Sequence, residues 1–94
     1  MGSATRYRCP RHVAWSVEPD GVLLVNTAGA TARRLRYPEA AVWDWLSRGD
    51  SCAGATRKTA ALAKLDPAAA ERLVLEAVRS WVEAGFLVVE SGDG

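Results

Sequence analysis

The hydrophobic pattern of this chain changes period once, at Pro38, and that switch limits the folds it can reach. Before it, Val13, Trp15 and Val17 alternate with Ala14 and Ser16, the two-residue period of a strand. After it, Val42, Trp45 and Leu46 recur at i, i+3 and i+4, the period of a helix buried along one stripe. Strands come first and helices follow, which predicts an α+β domain.

Turn chemistry divides the first half. In Glu18-Pro19-Asp20-Gly21, proline presets the second position of a turn and glycine supplies the backbone freedom that closes a hairpin. A first strand over HVAWSV and a second over Val22 to Asn26 flank it. Thr27-Ala28-Gly29-Ala30 reverses the chain again, and Thr31 to Arg36 reads as a third strand. Thr31, Arg33 and Leu35 share one of its faces; Ala32, Arg34 and Arg36 share the other.

The second half predicts three helices. Pro38 suits a first helical turn, and Gly49 ends that helix as a left-handed cap. Asp50 to Gly54 reads as a loop, and Thr56 to Leu65 as a short helix with Ala60, Ala61, Leu62 and Leu65 apolar. Asp66-Pro67 starts the third, since aspartate accepts from free backbone N–H groups and proline loses no hydrogen bond there. It reaches Ala84, about 18 residues or ~27 Å. Projected at 100° per residue, Val74, Val78, Trp81 and Val82 form its central stripe, and Arg72, Glu76, Arg79 and Glu83 its solvated face. Leu73, Ala77, Ser80 and Ala84 lie along one flank, small enough to let something approach closely. Gly85 caps it, and Phe86 to Val89 is a short extended tail that can pack as a strand. The whole reads as a winged helix-turn-helix-like domain over 11–90, with flexible ends at 1–10 and 91–94.

Composition removes several functions. The 94 residues carry a net charge of +1, too small for whole-molecule attraction to nucleic acid or an anionic membrane. No apolar run approaches a membrane span, and MGSATRYRCP holds no apolar signal core, so the expected location is the cytoplasm. Cys9 and Cys52 stand far apart with one histidine, His12, and no CxxC pair. This reads as two reduced thiols and no metal site. No nucleophile–histidine–acid set, paired carboxylates or glycine-rich phosphate loop appears, so no catalytic residue, enzyme activity or cofactor is expected. Arginine outnumbers lysine and alanine is frequent, in keeping with a GC-rich bacterial coding sequence. Trp15, Trp43, Trp45 and Trp81 read as core. Trp43 and Trp45 point ~160° apart on their helix, which leaves one of them partly exposed.

The order of these pieces resembles the PqqD-like family, the RiPP recognition elements. Three stretches carry the likeness: HVAWSVEPDGVLLVN as the opening two strands, LRYPEAAVWDWLSRG as the third strand entering the first helix, and VRSWVEAGFLV as the last helix and its tail. Two places depart from it. Arg36 and Tyr37 stand where a small polar helix cap is usual, and Asp50 to Thr56 lacks a Ser/Thr-x-x-Glu box.

The resemblance implies a stand-alone, non-catalytic module that binds the leader segment of a ribosomally made precursor peptide and delivers it to a modifying enzyme. That enzyme would be a radical SAM enzyme, a cyclodehydratase, a lanthipeptide dehydratase or a protease. It places the leader as an added strand on Thr31, Ala32, Arg33, Arg34, Leu35 and Arg36, in a cleft completed by Leu73, Ala77, Ser80 and Ala84. The three arginines suit a leader with aspartate or glutamate, and equally blunt a free edge against aggregation. The same edge could pair with its own copy to give a homodimer. The competing expectation is a winged-helix DNA-binding protein. Against it, the third helix mixes Arg72 and Arg79 with Glu71, Glu76 and Glu83, acids that repel phosphate.

Overall fold

Two tight reversals fold the first half into a meander. The computed structural model describes residues 6–89. A short strand β1 (Tyr7–Arg8) precedes β2 (Val13–Glu18), β3 (Gly21–Asn26) and β4 (Thr31–Arg36). Helices α1 (Glu39–Ser47), α2 (Cys52–Ala63) and α3 (Pro67–Glu83) follow, and β5 (Val88–Val89) ends the described chain. The three strands expected from sequence are β2, β3 and β4. They form one antiparallel sheet in that order, with Val22 set between Val17 and Leu35. The second reversal is held by Asn26, whose Oδ1 accepts from the backbone N–H groups of Ala28 and Gly29 at 3.0 and 3.1 Å.

The helices cover one face of this sheet. Val13, Val22, Leu24 and Leu35 point into the core, while Ala14, Ser16, Arg34 and Arg36 on the other face are exposed. Trp43 is fully buried, edge-to-face with Trp81 at 5.3 Å and with Trp15 at 6.3 Å between ring centroids, a geometry the ring quadrupoles favour. Trp45 is the half-buried one of its pair, with the Lys58 ammonium 5.8 Å from its ring.

Helix starts follow local chemistry. The peptide bond before Pro38 is cis. Pro38 occupies the cap position of α1 without a side-chain cap bond, and its carbonyl accepts from Ala41 and Val42. Helix α2 begins at Cys52, four residues before the expected Thr56, because Ser51 caps it by accepting from the Gly54 N–H at 3.1 Å. Gly54, expected in a loop, is a buried helical residue: a Cβ there would meet an Asp50 carboxylate oxygen at 2.1 Å. The face α2 buries is Cys52, Gly54, Ala55 and Thr59; the apolar Leu62 is exposed. Asp66 caps α3 as expected, accepting from Ala69 at 2.8 Å, with Pro67 in the first turn. Its buried stripe is Ala70, Val74, Ala77, Val78 and Trp81. Val82 is exposed, and Ala77 belongs to the core side rather than to a loose flank.

The largest difference from expectation lies in the lead-in. Tyr7 and Arg8 pair antiparallel with Val89 and Val88, and Tyr7 is buried in the core. Burial, then the neighbouring Cys52 thiol, pushes the Tyr7 hydroxyl up to about 12. Both cysteines are unpaired, and burial raises the pKa of each. A two-residue strand has no alternation to read, so its partner β5 had to be seen to find it. Of the expected flexible ends, residues 1–5 and 91–94 lie outside the described residues.

Candidate peptide-binding groove

Strand β4 has a partner on one side only. Which of its backbone groups face the open side follows from Gly21. A Cβ built there would lie 1.8 Å from the Leu35 carbonyl oxygen, so that carbonyl points into the β3–β4 seam. In an antiparallel strand the N–H and C=O of one residue point the same way, and the direction alternates. Arg33 and Leu35 therefore bond β3, while Ala32, Arg34 and Arg36 present their N–H and C=O groups to the free edge.

Beside that edge runs α3. Between them lies a groove of about 350 Å³ lined by Arg33, Leu35, Glu39, Ala69, Arg72, Leu73, Glu76, Ala77, Ser80 and Trp81. Leu35 and Ala77 are buried, Leu73 packs partly against the core, and together they give the groove an apolar floor. Arg33 bridges its two walls: its Nη1 donates to Ser80 Oγ at 2.7 Å, and its guanidinium lies 5.5 Å from the Phe86 ring centroid.

The ten residues expected to bind do not all converge. Arg33, Leu35, Leu73, Ala77 and Ser80 line the groove. Thr31 and Ala32 are exposed toward the hairpin end of β4 and outside the lining. Ala84 packs against the core instead. Arg34 and Arg36 lie on the opposite sheet face, in a hollow shared with Glu18, Pro19 and Asp20. There Arg34 Nε donates to Glu18 Oε1 at 3.0 Å. Their side chains face away from the groove although their backbone borders it.

Five lining residues fall outside the expected binding set: Glu39, Ala69, Arg72, Glu76 and Trp81. Extending the Leu73–Ala77–Ser80 flank backward at helical spacing would have reached Ala69, Arg72 and Glu76. Glu39 carried no local signal, since it joins the groove only through the docking of α1.

Among the described residues no group of three or more His, Cys, Asp or Glu is placed to hold a metal ion. No described helix is long and apolar enough to cross a membrane.

The sequence matches no family model and no curated protein. The fold does find counterparts among solved structures. One is "Lasso peptide synthetase B1 complexed with the leader peptide", at a TM-score of 0.81 and 19% identity, covering 88% of this chain and 98% of that one. Another is "TbiB1 in Complex with the TbiA(beta) Leader Peptide", at 0.81 and 18%, covering 93% and 98%. At such identities the likeness is one of fold. The α+β architecture that the PqqD-like resemblance implied, a three-stranded antiparallel sheet followed by three helices, is the architecture found.

Proposed function

We propose that this chain is a non-catalytic peptide-recognition module. It takes the leader segment of a ribosomally made precursor as an extra strand on β4 and presents it to a modifying enzyme. The observation that carries this reading is the juxtaposition of a one-sided strand edge with an apolar-floored groove against α3. Main-chain bonds to an edge supply affinity without regard to sequence, and pockets for alternate side chains supply selectivity. The three outward residues, Ala32, Arg34 and Arg36, offer up to six backbone groups. At about 0.5–1.5 kcal/mol net per bond, four of them give weak binding. One leucine-sized side chain buried on Leu35 and Leu73 adds about 1.5–3 kcal/mol. Two proteins of the same fold are seen in complex with leader peptides, which supports the same use here.

The DNA-binding alternative gains no support from the surface of α3. Its exposed positions include Glu71, Glu76 and Glu83 beside Arg72 and Arg79, a face with no net positive charge.

The test is a titration of the labelled protein with leader peptides encoded beside it, read by backbone amide NMR. Shifts centred on Thr31–Arg36 and on the α3 residues from Ala69 to Ser80 are expected. Saturable binding with its shifts elsewhere removes the groove from the reading. No response to any such leader, with salt-dependent binding to duplex DNA, replaces the reading by the nucleic-acid one.

A further inference from the structure

The charged residues of the groove are unlike those elsewhere on the surface. Among the described residues the ion pairs are Arg34–Glu18, Arg48–Asp44 and Lys58–Asp50, and all lie outside it. Arg33, Glu39, Arg72 and Glu76 line the groove and belong to none of them. The groove thus holds two arginines and two glutamates, none of them in an ion pair among the described residues.

Arg33 is the one of these that is already fixed in place. Its guanidinium rests against the buried ring of Phe86 and is tied to Ser80 on α3. A guanidinium carries five N–H donors in a planar fork, so one bond to Ser80 leaves donors for a carboxylate. Because the fork is held before anything binds, little rotamer freedom remains to be lost. Leu35, the apolar floor, lies two residues further along the same face of β4, about 7 Å away at strand rise.

These positions define a register. The sheet is antiparallel throughout, and antiparallel pairing is slightly more stable per residue than parallel. A strand added in that sense meets Leu35 first and Arg33 two residues later. We propose that the groove selects an extended peptide with an apolar side chain followed, two residues toward its C-terminus, by a carboxylate. The apolar group seats on Leu35, Leu73 and Ala77, and the carboxylate takes the free donors of Arg33. The reversed order carries the acid past Leu35 and away from the held fork of Arg33. Arg34 and Arg36, on the other sheet face, take no part in this selection. The proposal rests on strand addition to β4 and adds a register and a direction to it.

The experiment uses the labelled full chain and two blocked nonapeptides of identical composition in a Thr/Ser/Gly background. One carries Leu-Thr-Asp at its centre, the other Asp-Thr-Leu. Dissociation constants come from amide shifts. The first peptide is expected to bind about fivefold more tightly, the upper range for one partly exposed charge pair. Arg33→Gln should abolish the difference, and Arg33→Lys should retain part of it; the amide spectra report whether each variant is folded. Equal affinities in the unmodified protein, or an order preference that survives Arg33→Gln, overturns the proposal and leaves strand addition standing. If neither peptide moves the amides of β4 and α3, strand addition fails and the proposal falls with it.

Discussion

Replacing Arg34 by proline separates main-chain recognition from side-chain recognition. By the alternation set at Leu35, the Arg34 N–H faces the open edge and takes no part in the β3–β4 ladder. Proline there removes a donor that the fold does not use, and edge strands tolerate it for that reason. Its side-chain loss is controlled by Arg34→Ala, which gives up the same exposed ion pair to Glu18, about 0–1 kcal/mol, and keeps the N–H. A bound peptide loses one hydrogen bond of about 0.5–1.5 kcal/mol, and one of its carbonyls is left facing a ring, at about 1–3 kcal/mol if water cannot reach it. The sum predicts binding at least tenfold weaker than in Arg34→Ala, with thermal midpoints of the two variants within a few degrees. Leader titrations by amide NMR and thermal melts measure both. Equal binding by folded Arg34→Pro and Arg34→Ala refutes strand addition at β4. An unfolded Arg34→Pro beside a folded Arg34→Ala refutes the assignment of outward backbone groups.

Other consequences concern the scaffold. Gly21→Ala drives a Cβ into the Leu35 carbonyl; it should cost about 2–3 kcal/mol or more in chemical denaturation, and a cost below 1 kcal/mol would show that the seam can shift. Ser51→Ala removes the cap of α2 and should lower stability by about 1 kcal/mol with groove binding unchanged, as checked by denaturation and titration together. Asp50 accepts from Lys58 Nζ at 2.8 Å and from the Ser51 N–H at 2.9 Å, and chiefly the Lys58 bond lowers its pKa below 3.8. A depressed carboxyl stabilises the fold above that ordinary value and stops doing so as pH falls through the lowered one. The stability gap between the unmodified chain and Asp50→Asn should therefore be constant from pH 7 to about 5 and close below 3.8; a gap independent of pH contradicts the pairing.

What the sequence disclosed follows from how local each signal is. Alternation at Val13, Trp15 and Val17, the Pro19-Asp20-Gly21 turn and the Asp66-Pro67 cap are decided within four residues, and the structure keeps all of them. The start of α2 was misread because Gly54 looks like a breaker in one dimension. In three dimensions it is where Asp50 approaches the helix. The face assignment of β4 was legible from strand period, and it already separated Arg33 from Arg34 and Arg36. Which face met α3 was not, because that depends on the docking of helices some forty residues away. Val82 and Ala77 exchanged roles for a related reason: a stripe drawn on an isolated helix is centred by hydrophobicity, whereas the real one is centred by where α2 and the sheet lie. Small Ala70 and Ala77 mark close approach and carry little weight in such a projection.

An edge strand that must stay open to a peptide cannot be hidden, so it has to be defended by its own side chains. If β4 takes a peptide strand as proposed, defence and recognition are divided between its two faces. Arg34 and Arg36 occupy the exposed face, and Arg33 the groove face. Consider two copies meeting edge to edge about a two-fold axis. If the axis passes through Arg33 or Arg34, that residue opposes its own copy; through Leu35, Arg34 opposes Arg36. These three registers set arginine against arginine, which destabilises the pair; an axis through Ala32 does not, and pairs Thr31 with Arg33 instead. A homodimer in those central registers is thus opposed by the arginines of β4. The same charges that keep copies apart leave the edge available to a partner of opposite sign, and an apolar floor beside it decides which of those partners stays.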